Sequence, residues 1–316
     1  MDMDGNRRSR RQKYPRDYRV DPHMSMQPVS QESQEIMETC RRLGSWPPGG
    51  NDKQQYALKP GVSAEDLTAV LEGKVFCFAS HHMGTWLVQE ALAIFPRLQG
   101  MIADGLKGHA LDLVKCFHGN HCIQVLIRKT DAATYGFVLN ELENEWPKVC
   151  ADQCGCRVAQ RLLEKCPDAH KLRESILAVR EQLLDLRTEP GATGAGKYGH
   201  FVLEKLLEVG NYSEKQELLE TCKAHMPQVA KNEYLCRVVE KAVVSEVDGA
   251  LEAVAAALGP QGCLRSWLGE ITQTPYGSSL LKTVLGKLSM ADKAVLDRAI
   301  SQVPNNQVHK KLRTSQ

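Results

Sequence analysis

Trp86, His121, Arg157, Phe201, Arg237 and Ser279 recur along this chain at intervals of 35, 36, 44, 36 and 42 residues. Five of the six carry planar π groups, the side-chain type that stacks on a nucleobase at about 1–3 kcal/mol per base. One residue earlier stand Thr85, Asn120, Cys156, His200, Cys236 and Ser278; three residues later stand Gln89, Gln124, Gln160, Glu204, Glu240 and Lys282. Amides and carboxylates meet the hydrogen-bonding edge of a base, and the choice of Gln or Glu sets whether donors or only acceptors are offered. A flat group flanked by two edge-readers is chemistry suited to bases splayed from a single strand, which favours RNA loops and tails over duplex.

The element that must hold these side chains is a helix. With the residue before each planar group called i, the cores run Gly84-Thr85-Trp86-Leu87-Val88-Gln89, Gly119-Asn120-His121-Cys122-Ile123-Gln124 and Gly155-Cys156-Arg157-Val158-Ala159-Gln160. They continue as Gly199-His200-Phe201-Val202-Leu203-Glu204, Leu235-Cys236-Arg237-Val238-Val239-Glu240 and Gly277-Ser278-Ser279-Leu280-Leu281-Lys282. Positions i+2, i+3, i+6 and i+7 are apolar in all six, as in Val158, Ala159, Leu162 and Leu163. At about 100° per residue, i, i+1 and i+4 fall within one arc. The quartet is then expected on the opposite side, buried, with i, i+1 and i+4 presented. A unit recurring about every 36 residues, with two insertions, signals a repeat array from about Leu67 onward. Val/Ile/Thr alternation is absent there, so no sheet is expected.

The rest of the chain sets bounds. Apolar residues make up 42% and charged residues 25%, and the net charge is +2. These values are ordinary for soluble protein and neither demand nor exclude a polyanionic partner. No apolar run approaches the ~20 residues that cross a bilayer, and the acidic-then-basic start lacks the apolar stretch of a secretory signal. Residues 1–60 read as a disordered basic tail, with Arg7, Arg8, Arg10, Arg11, Lys13, Arg16 and Arg19 at its start and a short helix over Ser33–Leu43 capped by Ser33. Residues 61–290 hold the six repeats, and residues 291–316 hold C-terminal capping helices, placed over Ala291–Val308, and a tail.

Three further patterns bear on chemistry. Gly191-Ala192-Thr193-Gly194-Ala195-Gly196-Lys197 fits a phosphate loop up to its lysine. Tyr198 stands where the metal-binding Ser/Thr belongs, no strand precedes, and the segment falls in the longest interval, so an inserted loop is the better reading. Cys150, Cys154, Cys156 and Cys166 cluster near His170, but without the paired C-x-x-C spacing of a zinc site. The eleven cysteines read as free thiols in a reducing compartment. His81, His82 and His118 precede their helices as loop or cap residues. No nucleophile–base pair or carboxylate pair can be assembled, so no catalytic residue, metal or cofactor is expected.

At these cores the sequence resembles the Pumilio-type (PUF) family of RNA-binding repeat proteins. Gly155 to Glu164 is similar to that family's fifth repeat, Gly119 to Gln124 to its fourth, and Cys236 to Lys241 to its seventh; the similarity covers about Leu67 to Leu288. The resemblance implies an all-α, right-handed α-solenoid, a superhelical crescent of three-helix, armadillo-like repeats, with RNA on the concave face and one base per repeat. It implies uracil for Asn120 with Gln124, adenine for Cys156 with Gln160, and guanine for Cys236 with Glu240. The pairs His200/Glu204, Ser278/Lys282 and Thr85/Gln89 depart from the commonest ones. The resemblance further implies a monomeric, sequence-selective binder of single-stranded RNA, in messenger 3′ untranslated regions, that regulates stability or translation. Protein partners would sit on the convex face, with no membrane association. The expected compartment is the cytoplasm, with the nucleus or nucleolus as alternatives. A protein-interaction scaffold and a ribosome-assembly role are the competing readings.

Overall fold

The computed structural model of the protein describes residues 30–45, 56–166, 169–186 and 194–303. It begins with α1 (Gln31–Leu43), a pair of two-residue strands β1 (Gly44–Ser45) and β2 (Ala57–Leu58), and α2 (Ala64–Leu71). Six units follow. The first is α3 (Val75–Ser80), α4 (Gly84–Ile94) and α5 (Gln99–Leu106), and the second α6 (Ala110–Lys115), α7 (Gly119–Lys129) and α8 (Ala132–Glu141). The third is α9 (Trp146–Ala151), α10 (Gly155–Lys165) and α11 (His170–Ala178), and the fourth α12 (Arg180–Leu183), α13 (Gly196–Val209) and α14 (Tyr212–Ala224). The fifth has a 3₁₀ turn, Met226–Gln228, before α15 (Glu233–Val244) and α16 (Ala250–Leu258). The sixth is α17 (Leu268–Gln273), α18 (Pro275–Lys287) and α19 (Met290–Ser301).

The middle helices pack in sequence, α4 on α7, α7 on α10, α10 on α13, α13 on α15 and α15 on α18. The side chains of the apolar quartets, 24 in all, are buried, as in Leu87, Ile123, Leu162, Leu206, Val238 and Leu281. No unit can cover its own apolar stripe, so stacking neighbours closes one continuous core.

The glycine that opens five of the six cores has a steric cause. A Cβ on Gly84 would lie 2.4 Å from the Phe78 carbonyl oxygen, on Gly155 2.5 Å from that of Val149, and on Gly277 2.3 Å from that of Ile271. The short first helix crosses its middle helix too closely for any side chain there. The fifth core opens with Leu235, and there no α-helix precedes; Asn232 instead accepts the Leu235 N–H at 2.9 Å and starts α15. The steric argument gives opposite signs at two glycines. Gly155→Ala should destabilise by roughly 2–3 kcal/mol through overpacking. Gly136→Ala, in the interior of α8 with nothing within 4 Å of the added methyl, should stabilise by about 0.5–1 kcal/mol. Thermal unfolding of the two variants checks this, and shifts of the same sign would refute it.

Three sequence expectations shift. First, α1 starts at Gln31, and its cap is Ser30, whose hydroxyl accepts the Ser33 N–H at 3.2 Å. Second, the segment before residue 60 is not all tail. Ile36, Cys40, Leu43 and Tyr56 are buried, the Tyr56 hydroxyl donates to the Cys40 carbonyl at 2.7 Å, and a minimal sheet pairs Gly44 with Leu58. α1 buries a narrower stripe than the middle helices because among the helices it packs mainly on α4, as an end cap does. Third, the C-terminal cap is one helix, α19, among the described residues. The Arg7–Arg19 basic cluster, Gly191–Thr193 and residues 304–316 lie outside them. No described helix is long and apolar enough to cross a membrane.

Candidate nucleic-acid interface

Four of the six middle helices are started by a side chain four residues before i, Asn232 in the fifth unit being one of them. His81 Nδ1 accepts the N–H groups of Met83 and Gly84, Asp152 those of Cys154 and Gly155, and Thr274 Oγ1 that of Gly277. These caps satisfy N–H groups that the first turn leaves open and so mark where those helices begin. His81 also ties in α1, through Ser33 Oγ at 2.8 Å from its Nε2. Burial and the neighbouring His82 and His118 push its pKa down to about 4, so it caps as a neutral ring.

The presented surface is graded. Ser279, His121 and Arg237 are exposed, and Trp86, Arg157 and Phe201 are half-buried; all six i+4 residues, Gln89, Gln124, Gln160, Glu204, Glu240 and Lys282, are half-buried. The i residues Thr85, Asn120, Cys156, His200, Cys236 and Ser278 are buried, at 0–3% exposure. This departs from the expectation that i is presented, and the reason is angular. Position i+7 lies only ~20° from i around the helix, so i borders the buried stripe. Thr85 Oγ1 donates to the His118 carbonyl at 3.0 Å, in the next unit. Ser278 Oγ donates to the Thr272 carbonyl at 2.8 Å. Burial also raises the Cys156 thiol to about 12 and raises that of Cys236 beyond it, so both stay protonated.

Several edge-readers are latched onto their own helix. Gln124 Nε2 donates to Asn120 Oδ1 at 2.9 Å, Gln89 Nε2 to Thr85 Oγ1 at 3.1 Å, and Gln160 Nε2 to the Cys156 carbonyl at 3.0 Å. Asn120 Nδ2 is itself held by the carbonyls of Cys116 and Phe117. Gln124 therefore keeps its oxygen and one N–H for a ligand, with Asn120 fixing its orientation. Glu240 is held from the next unit, where Ser279 Oγ and Thr283 Oγ1 donate to its Oε1 at 2.7 and 2.8 Å. The non-planar residue at the sixth stacking position thus anchors its neighbour's carboxylate.

Two flanking rows went unnoticed in the sequence. Positions i+5 and i+8 form an ion-pair ladder across three units: Arg161 pairs with Glu164, Glu164 with Lys205 at 2.8 Å, Lys205 with Glu208, and Glu208 with Lys241. Their recurrence at fixed places in the core was the available signal. The phosphate-loop reading finds no support: Gly196 and Lys197 lie in the first turn of α13, and the segment before Leu186 is α12 and a turn. Lys197 is exposed, 5.3 Å from the centre of the Tyr198 ring. Among the described residues no three His, Cys, Asp or Glu side chains are grouped to hold a metal.

Stacked three-helix units with one graded, polar and planar-rich row define an all-α repeat solenoid. The model of the Pumilio-family RNA binding repeat matches residues 146–173 and 196–220, the units that hold Arg157 and Phe201. Pumilio homolog 9 of Arabidopsis thaliana is 24% identical over 205 residues, 64% of this chain and 34% of that protein. The chain spans about a third of the length of that relative. Two solved structures share the fold at a TM-score of 0.66. PUF-8 in complex with PBE-RNA is 18% identical, covering 79% of this chain and 74% of its own. The Puf3 RNA binding domain bound to the Cox17 RNA 3′ UTR recognition sequence site B is 19% identical, covering 79% and 71%. The chain thus carries Pumilio-type (PUF) repeats at residues 146–173 and 196–220 and shares the helical-repeat fold of the PUF domain structures.

Proposed function

We propose that the protein binds single-stranded RNA sequence-selectively, one base per middle helix, and controls messenger RNA stability or translation. The observation that carries this reading is the single row of six helices, five with a planar i+1 group, that keep a half-buried polar side chain at i+4. That arrangement offers a face and an edge to each base. The similar Puf3 and Puf4 domains are bound to 3′ UTR recognition sequences, which supports messenger 3′ untranslated regions as the target class. The protein acts as a monomer in the cytoplasm, with the helices on the far side of the units free for protein partners. Selection from a random RNA pool tests the reading: enrichment of a common single-stranded motif is expected, and no enrichment at low salt would leave a protein-interaction scaffold in its place.

The ladder alters what salt should do. Arg161, Lys205 and Lys241 are already paired with carboxylates on the same face, so few cations are left to displace counterions from phosphate. Affinity for the selected RNA should fall with salt, but with a log–log slope no steeper than about −3, as for roughly four phosphate contacts or fewer. Titrations between low and high potassium chloride measure it; a slope near −6 would show that the ladder opens onto the backbone.

A further inference from the structure

Among the six pairs of edge residues in the described structure, one has both of its acceptors unengaged. His200 Nδ1 lies 2.5 Å from the Gly196 carbonyl oxygen. A carbonyl can only accept, so Nδ1 carries the proton and Nε2 is a bare acceptor. That Nε2 is buried and has no hydrogen-bond partner among the described residues. The ring lies between Phe201, at 3.9 Å, and Tyr234, at 5.3 Å between centroids. One turn further, Glu204 is half-buried and makes no hydrogen bond or ion pair among the described residues, whereas Gln89, Gln124, Gln160 and Glu240 all do. A buried acceptor left without a donor costs on the order of 1–3 kcal/mol, which a ligand supplying one recovers.

We propose that the pocket flanked by Phe201 and Arg237 takes guanine, with His200 Nε2 and the Glu204 carboxylate accepting its N1–H and N2–H, and that this base position alone changes its preference with the proton on Glu204. The proposal rests on the RNA-binding reading above. Guanine offers two adjacent donors on its Watson–Crick edge, and two acceptors one helical turn apart match them. Phe201 swings off the His200 ring to stack on the base, which uncovers Nε2. With Glu204 protonated the pair offers one acceptor and one donor. That pattern suits adenine, whose N6–H donates to Nε2 and whose N1 accepts from the carboxyl. When guanine enters at low pH, the carboxyl releases its proton to solvent.

The surrounding charges support a proton shared near neutrality. Burial, the dominant cause, raises the Glu204 pKa to about 7, against the opposing pull of Arg237 and Lys241 on α15, with Glu208 on its own helix and Glu240 on α15 adding to the rise. From α10, Glu164 reaches this helix through its pair with Lys205. At the other end of the pocket Asp185 accepts the Gly196 N–H, and Glu233 is paired with Arg237. α9, α11, α12 and α14 also pack on this helix. Burial lowers His200 to about 4, so it stays neutral over the range in question. The sign follows: a carboxyl with raised pKa is ionised, and guanine-selective, above about pH 7, and that selectivity is lost as pH falls through 7.

The test uses the whole chain and the RNA selected above, substituted with each base at every position and titrated at pH 8 and pH 6. Wild type is expected to prefer guanine at one position by at least about tenfold at pH 8. That preference should shrink about tenfold at pH 6, the factor by which the ionised fraction drops one unit below the pKa, while other positions hold. Glu204→Gln should abolish both the guanine preference and its pH dependence at that position only. His200→Phe, which keeps the ring but removes the acceptor, should reduce the guanine preference at both pH values. Base selectivity at the other positions, with none at this one that follows pH or Glu204→Gln, overturns the proposal and leaves RNA recognition intact. Failure to bind any RNA overturns both.

Discussion

Replacing Arg157, Phe201 and Arg237 together by alanine should weaken binding of the selected RNA by at least 100-fold and leave the protein folded. Each of these side chains is half-buried or exposed at i+1 of its helix, where a base can lie between successive units. Loss of one stacking partner costs about 1–3 kcal/mol. Three such losses, even if not fully additive, exceed the 2.7 kcal/mol that corresponds to 100-fold. Folding should survive because the apolar quartets beneath are untouched. Arg237 gives up only its exposed pair with Glu233, at 2.7 Å, and exposed pairs add little to stability. Fluorescence anisotropy with the selected RNA, alongside circular dichroism melts, measures the two properties separately. Binding within threefold of wild type would show that these planar groups do not hold bases.

The second large effect is a change of base. Gln124 retains an oxygen and one N–H after donating to Asn120 Oδ1, a donor–acceptor pair that suits uracil, which offers N3–H beside its carbonyl oxygens. In Asn120→Ser/Gln124→Glu the amide becomes an ionised carboxylate that only accepts. Guanine, with two donors on one edge, should become the preferred base, and uracil should lose on the order of 1–3 kcal/mol, or roughly 5- to 150-fold. Asn120 also holds the carbonyls of Cys116 and Phe117 with its Nδ2. The double variant should therefore melt somewhat earlier, and Gln124→Glu alone, which keeps those contacts, is the companion variant that isolates recognition. Both proteins are titrated with RNAs that differ only at this nucleotide. An identical ranking by wild type and variants would mean that the modular reading fails here.

Much of this design is local and therefore readable from the chain itself. A quartet such as Val202, Leu203, Leu206 and Leu207 fixes a buried stripe by spacing alone, because 3.6 residues per turn acts over a few residues. The recurrence of six such quartets with planar neighbours was equally legible, and it led to the helical-repeat solenoid. The glycine before each i was visible as a pattern, but its reason, a first helix whose carbonyl lies too near for a methyl, was not. The ends were misjudged for a related reason. The short helix was expected, but Tyr56 and the strands β1 and β2 were read as tail, and they order themselves by closing on α1 and α4.

Sequence by itself determined the helical class, the register of the repeat and the buried quartets. Only tertiary structure decided how deep each of them sits and what it already holds. Position i borders the buried stripe, and in the first unit the next one also closes over it, the His118 carbonyl taking the Thr85 hydroxyl from 33 residues away. Ser279 anchors Glu240 across 39 residues, and the ladder joins Glu164 to Lys205 across 41. Periodicity cannot show such pairings, because they depend on the offset between stacked helices, and a few ångströms of that offset separate a free carboxylate from a tethered one. That physical difference leaves Glu204 without a hydrogen-bond partner among the described residues and gives Glu240 two.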